Sequence, residues 1–100
     1  MGIFSALGIP TSKLDLFLRS VEVSSYLPGR IRLHSKMLVG SPQVEKELLT
    51  YLRSYSELSE VETSTVTGSI LIKYTPQLLH TNEELTRAEA YIKECAKKRT

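Results

Sequence analysis

The sequence predicts an α/β (α+β) two-layer sandwich, a small antiparallel sheet with helices on one face. Three observations predict it. Apolar side chains recur with period two from Val21 to Leu33 and with period 3.6 from about Pro42 to Ser56. Two short alternating runs, Val61 to Thr65 and Ile70 to Tyr74, meet at Thr67-Gly68. The length of 100 residues leaves room for one domain and one core. With 41% hydrophobic and 24% charged residues the composition is that of an ordinary globular chain, neither disordered nor collagen-like.

The first twenty residues divide at Pro10. Ile3, Phe4 and Leu7 recur at helical spacing; Thr11 or Ser12 then caps a second short turn that carries Leu14, Phe17 and Leu18, with Lys13, Asp15 and Arg19 on its polar side. Residues 1–20 therefore read as an amphipathic N-terminal arm, and residues 21–100 as the domain proper. Six large apolar side chains left in water forgo about 1.5–3 kcal/mol each, so Ile3, Phe4, Leu7, Leu14, Phe17 and Leu18 are expected to contact protein, either the domain's own sheet or a partner, or a membrane surface. Ala6 stands where N-myristoylation wants Ser or Thr, and the apolar opening Met1 to Ile9 is far short of a bilayer span.

From Val21 to Leu33 the odd positions are mostly apolar, while the even ones carry Glu22, Ser24, Tyr26, Pro28, Arg30, Arg32 and His34. Pro28 removes a ladder donor and Gly29 marks a bulge, so the expectation is one long kinked strand or two collinear pieces. Ser41-Pro42 caps the first long helix, whose stripe is Val44, Leu48, Leu52 and Tyr55. Thr81 and Glu84, three apart, form a capping box for a last helix with Leu85, Ala88, Ile92 and Cys95 on its apolar side.

The order strand, helix, strand, strand, helix is the ferredoxin-like arrangement with its last strand missing and a helical arm added in front. The sheet is expected to have three strands, the first pairing with the third at the centre. Lacking its neighbour, the first strand presents an open edge from Val21 to His34. Such an edge must be covered by the arm or paired with that of a second copy, which predicts a homodimer.

The stretch Tyr26-Leu27-Pro28-Gly29-Arg30-Ile31-Arg32-Leu33, then the helix, then Val66-Thr67-Gly68-Ser69-Ile70-Leu71-Ile72-Lys73-Tyr74, resembles a divergent branch of the heavy-metal-associated domains, over about residues 21–76. Those domains are ferredoxin-like modules found with metal-transporting P-type ATPases. Their better-known members hold Cu(I) or Zn on a CxxC loop between first strand and first helix. Here that loop is Ser35-Lys36-Met37-Leu38-Val39-Gly40-Ser41, with no cysteine, so the two-thiolate transfer site is excluded. The soft-ligand candidates nearby are His34 and Met37. Their alternative reading is an outward strand histidine and a loop methionine packed on the domain.

Arg30 and Arg32 share the polar face of the strand with Tyr26 and His34. Two guanidinium groups beside a phenol and an imidazole suit a carboxylate, a phosphate or a haem propionate; the alternative is cross-strand pairing with acids of a neighbouring strand. His80 reads as a solvated loop residue and Cys95 as a small core residue. The net charge of +2 is too small for a nucleic-acid module, and no glycine-rich phosphate loop, nucleophile elbow or HExxH helix is present.

The resemblance thus implies a non-enzymatic accessory or regulatory protein of metal homeostasis, iron included, that docks to a membrane metal transporter or a related partner. The alternative is a small-ligand module for an anionic cofactor such as haem. A lone cysteine and no signal peptide suggest a cytoplasmic location, peripheral at the membrane if the arm binds there.

Overall fold

A computed structural model describes residues 13–99. The elements in chain order are helix α1 (Lys13–Ser20), strands β1 (Glu22–Leu27) and β2 (Arg30–His34), and a 3-10 turn (Lys36–Leu38). After these come helix α2 (Pro42–Arg53), strands β3 (Leu58–Thr63) and β4 (Ser69–Tyr74), and helices α3 (Pro76–Leu79) and α4 (Glu83–Arg99). The sheet order is β1-β2-β4-β3, and every neighbouring pair is antiparallel.

The chain is therefore an α+β two-layer sandwich of the ferredoxin-like kind, with β2 and β4 at its centre as the pattern predicts. The long kinked strand and the three-stranded sheet are corrected. Pro28-Gly29 folds the chain back on itself, so that Leu27 pairs with Arg30 and the sheet gains a fourth strand. Pro fixes φ for the first turn position and Gly29, at φ +89°, takes the left-handed second one, the requirement of a type II turn. Strand β1 thereby lies beside β2, where the missing last strand of the full arrangement would be. The edge of β2 that suggested a homodimer is covered; the outer strands among the described residues are β1 and β3.

A bulge makes a second correction. The register of β1 shifts between Val23 and Ser25, so the alternation reverses there. Val23 opposes Leu33 and Tyr26 opposes Ile31 on the covered face, whereas Ser25 opposes Arg32 and Leu27 opposes Arg30 on the open one. Tyr26 thus leaves the face that the period assigned to it, and Leu27 is 61% exposed.

On the covered face Val23, Ile31, Leu33, Val61, Ile70, Ile72 and Tyr74 meet Leu38, Leu48, Leu52, Leu79, Leu85, Ala88 and Ile92 in one core. Helix α2 lies over β3, and α4 lies against β1 and α1. Leu14 and Leu18 of α1 are buried in this same core and Phe17 is half-buried, so the second half of the arm packs on its own domain. Ile3, Phe4 and Leu7 lie outside the described residues. A cavity of about 30 Å³, room for one or two waters, remains beneath α1 between Leu14, Leu18, Tyr74 and Leu85.

Helix α2 starts as expected: the Ser41 hydroxyl accepts from the Val44 N–H at 3.2 Å, with Pro42 behind it. The start of α4 differs. Asn82, not Thr81, is the cap, its Oδ1 accepting from the Leu85 N–H at 3.2 Å. The Thr81 hydroxyl closes the short helix α3 by donating to the Leu78 carbonyl at 2.7 Å, and Glu84 accepts instead from the Tyr55 hydroxyl at 2.7 Å. A longer-range contact has taken the carboxylate that the capping box needed.

Candidate functional site

Among the described residues all helices lie on one side of the sheet and the other face is open, and its side chains can be read from the registers. Along β2 stand Arg30, Arg32 and His34; beside them lie Leu27, Ser25 and Glu22 from β1, and Lys73, Leu71 and Ser69 from β4. Glu60 and Glu62 of β3 follow at the far side. Arg30 is directly opposite Lys73, a pairing of like charges that costs stability on an exposed sheet. Lys73 reaches Glu60 at 3.4 Å, but neither arginine is paired with an acid among the described residues. The expected cross-strand pairing of Arg30 and Arg32 is thus not formed, because Leu71 and Lys73 separate them from the acids of β3. Those acids hold each other. Glu62 is raised above the ordinary carboxylate value by its hydrogen bond to Glu60 and by that neighbour's charge, while Glu60 is lowered by the same bond and by Lys73.

Tyr26 does not join this group. From the covered face its hydroxyl donates to Glu89 Oε2 at 3.3 Å. The four-residue clamp for an anionic cofactor is therefore reduced to Arg30, Arg32 and His34 on one open surface.

The loop from Ser35 to Ser41 occupies the place of the metal loop in the thiolate-bearing relatives of this fold. It is held tightly: the Ser35 N–H donates to the Gly68 carbonyl at 2.9 Å and the Gly40 N–H to the Thr65 carbonyl at 2.8 Å. Gly68 has φ +79°, and a Cβ there would stand 2.5 Å from the Ser35 carbonyl oxygen and 3.2 Å from His34 Nε2. The half-buried His34 ring thus sits against Gly68, while Met37 is 70% exposed rather than packed on the domain. Leu38, fully buried, anchors the loop. No group of three His, Cys, Asp or Glu side chains converges among the described residues, and the loop does not fit a thiolate-held metal.

The period missed a second arrangement on the covered face. Glu89 of α4 accepts from the Tyr74 hydroxyl at 2.5 Å and from Tyr26 through the same oxygen, while its Oε1 is 2.7 Å from His80 Nε2. His80, read as a solvated loop residue, is the C-cap of α3 and is hydrogen-bonded to Glu89. Burial alone would raise the Glu89 carboxyl, but the hydrogen bonds from Tyr74 and His80 outweigh it and hold the group below its ordinary value. Burial and the same carboxylate push both phenols up. The sequence does carry a trace of this. Glu89 stands four residues after Leu85 and three before Ile92, inside the apolar stripe of its helix, where a carboxylate needs a partner.

A family model described as heavy metal associated domain 2 matches residues 11–90. The match takes in the second half of the arm and the first eight residues of α4, beyond the stretch of the sequence resemblance. Neither the comparison with curated proteins nor that with solved structures gave a match.

Proposed function

Because the chain belongs to the heavy metal associated domain 2 family, whose role is the binding and handling of metals, we propose that it is a non-enzymatic accessory or regulatory module of metal homeostasis that docks to a membrane metal transporter. In this reading the open sheet face makes the contact. The observation that carries it is the pair of arginines, Arg30 and Arg32, set beside Lys73 without an acid of their own among the described residues. Like charges opposed across two strands cost stability in the free protein, and an acidic segment of a partner laid across them removes that cost. Arginine forks grip carboxylates in pairs, and Leu27 and Leu71 supply apolar surface between the charges.

Docking in place of thiolate transfer is also what the loop favours, since Ser35 to Ser41 offers no soft ligand pair. Of the six side chains expected to contact a membrane or partner, Leu14 and Leu18 are taken up by the core, and the reading rests on Ile3, Phe4, Leu7 and the half-buried Phe17.

The test is co-purification with the metal-transporting P-type ATPase of the same cell, in detergent. The wild-type chain should be retained at low salt and progressively released as salt rises. The double reversal Arg30→Glu, Arg32→Glu should abolish retention while leaving the fold intact. Equal retention of the reversed variant would show that the open face is not the docking surface.

A further inference from the structure

Two phenols, an imidazole and a carboxylate from four separate elements meet on the covered face: Tyr26 of β1, Tyr74 of β4, His80 at the end of α3 and Glu89 of α4. We propose that this cluster is a binding site for ferric iron. The inference rests on the metal-handling reading above and gives it an ion that the Ser35 to Ser41 loop cannot hold.

The donor set selects the class of ion. Oxygen and imidazole ligands without a sulfur disfavour Cu(I) and suit a hard or borderline ion. Charge narrows the choice. Burial and the Glu89 charge hold the protons on Tyr26 and Tyr74, so displacing them favours a highly charged cation; once both phenols are ionised, Tyr26, Tyr74 and Glu89 bring three negative charges, which a trivalent ion neutralises and a divalent one does not. In an enclosed site that difference is decisive, because net charge without a partner is costly there. The Glu89 side chain is 12% exposed.

The spacing also fits. Octahedral oxygen ligands at about 2.0–2.1 Å from an ion stand about 2.9 Å apart at neighbouring corners. The contacts at the Glu89 carboxylate are 2.5 Å to Tyr74, 3.3 Å to Tyr26 and 2.7 Å to His80. All three contacts converge on the Glu89 carboxylate, which gathers the other three groups around it. An ion would enter from the side of His80, which is 49% exposed, and water would complete its coordination there. On binding, the O–H bonds of Tyr26 and Tyr74 break, two iron–oxygen bonds form, and two protons pass to solvent. His80 binds through neutral Nε2, Glu89 through its carboxylate, and the iron stays ferric throughout.

The experiment is titration of the full chain with ferric nitrilotriacetate, followed by the visible phenolate-to-iron charge-transfer absorption. The wild type should take up one equivalent and develop the band. Tyr26→Phe should weaken the band, the double variant Tyr26→Phe, Tyr74→Phe should lose it, and Glu89→Gln should lower affinity by about tenfold or more. Circular dichroism confirms that each variant is folded. Should Tyr74→Phe unfold the chain, Tyr26→Phe and His80→Asn, both at more accessible groups, carry the same test. Tyr51→Phe, at the other tyrosine cluster, should leave the band unchanged. A wild type without the band, a band undiminished in the folded double variant, or displacement of the iron by equimolar Zn(II) would overturn the site. The variant Arg30→Glu, Arg32→Glu separates this proposal from the docking reading. It should bind iron as the wild type does and fail to dock; a wild-type chain that docks but develops no band refutes the iron site alone, and a reversed variant that still docks while binding iron refutes the docking surface alone.

Discussion

On the covered face of the sheet no buried side-chain nitrogen or oxygen among the described residues lacks a hydrogen bond, whereas on the open face two arginines stand without an acid beside them. The same strands build both faces. Tyr26 and Arg30, four residues apart around one turn, end on opposite sides, one held by Glu89 across 63 residues and the other facing a lysine. In this chain the two faces carry unfavourable interactions differently. Its interior satisfies each buried polar group internally, as burial demands, and its exposed face keeps a repulsion that water only partly screens. A surface of that kind is suited to being covered by something acidic.

The largest loss of stability is expected on the covered side. Leu33, with 0% exposure, sits at the centre of the core, and Leu33→Ala should cost about 2–5 kcal/mol in thermal or urea denaturation. A loss below 1 kcal/mol, by contrast, would mean that the covered face is loosely packed. Next in size is Gly68→Ala. The added Cβ meets the Ser35 carbonyl at 2.5 Å in a left-handed backbone, so a loss of about 1–3 kcal/mol is expected, with the β4 end of the sheet loosened in hydrogen exchange.

The effect of Glu89→Gln depends on pH. The variant should lose about 1–2 kcal/mol at neutral pH, since an amide is a weaker acceptor than a carboxylate. Glu89 is held below its ordinary value of 4.5, so its contribution is complete above that value and fades as pH falls through the lower folded one. Denaturant titrations should therefore show the gap between wild type and variant closing in acid. A gap that widened in acid would contradict the assignment.

The smallest effect on stability tests the open face. Arg30→Glu places a carboxylate opposite Lys73 and should raise stability by about 0.2–1 kcal/mol while weakening any acidic partner. A variant that is less stable than the wild type would show that Arg30 already has a favourable role within the fold.

Much of this was legible in the residues. The Ser41-Pro42 cap, the stripe of α2 and the Thr67-Gly68 hairpin all follow from local chemistry, and each formed where its signals stand. The Pro28-Gly29 pair was legible too, but the unbroken alternation on both sides of it favoured a single strand. A two-residue turn keeps the period intact, so periodicity alone does not separate a kink from a reversal. The bulge at Ser24 and Ser25 carries no comparable mark: two serines break no pattern, yet they move Tyr26 to the other face. Tyr26, Tyr74, His80 and Glu89 come from four elements, and only tertiary packing brings them together. That Arg30 and Arg32 lack the cross-strand acids expected of them has the same origin, because strand order, not composition, put Lys73 and Leu71 in between.

The hairpin of β1 and β2 also bears on how the chain is made. A turn of two residues closes within about 1–10 μs, far faster than a ribosome adds an amino acid, whereas the pairing of β2 with β4 must wait for α2 and β3 to emerge. In the usual order of this sheet the strand beside β2 is synthesised last, which leaves that edge bare for the whole of translation. With β1 in that position, the arginine-bearing strand has a partner for one of its edges as soon as it leaves the exit tunnel, before any later strand is made.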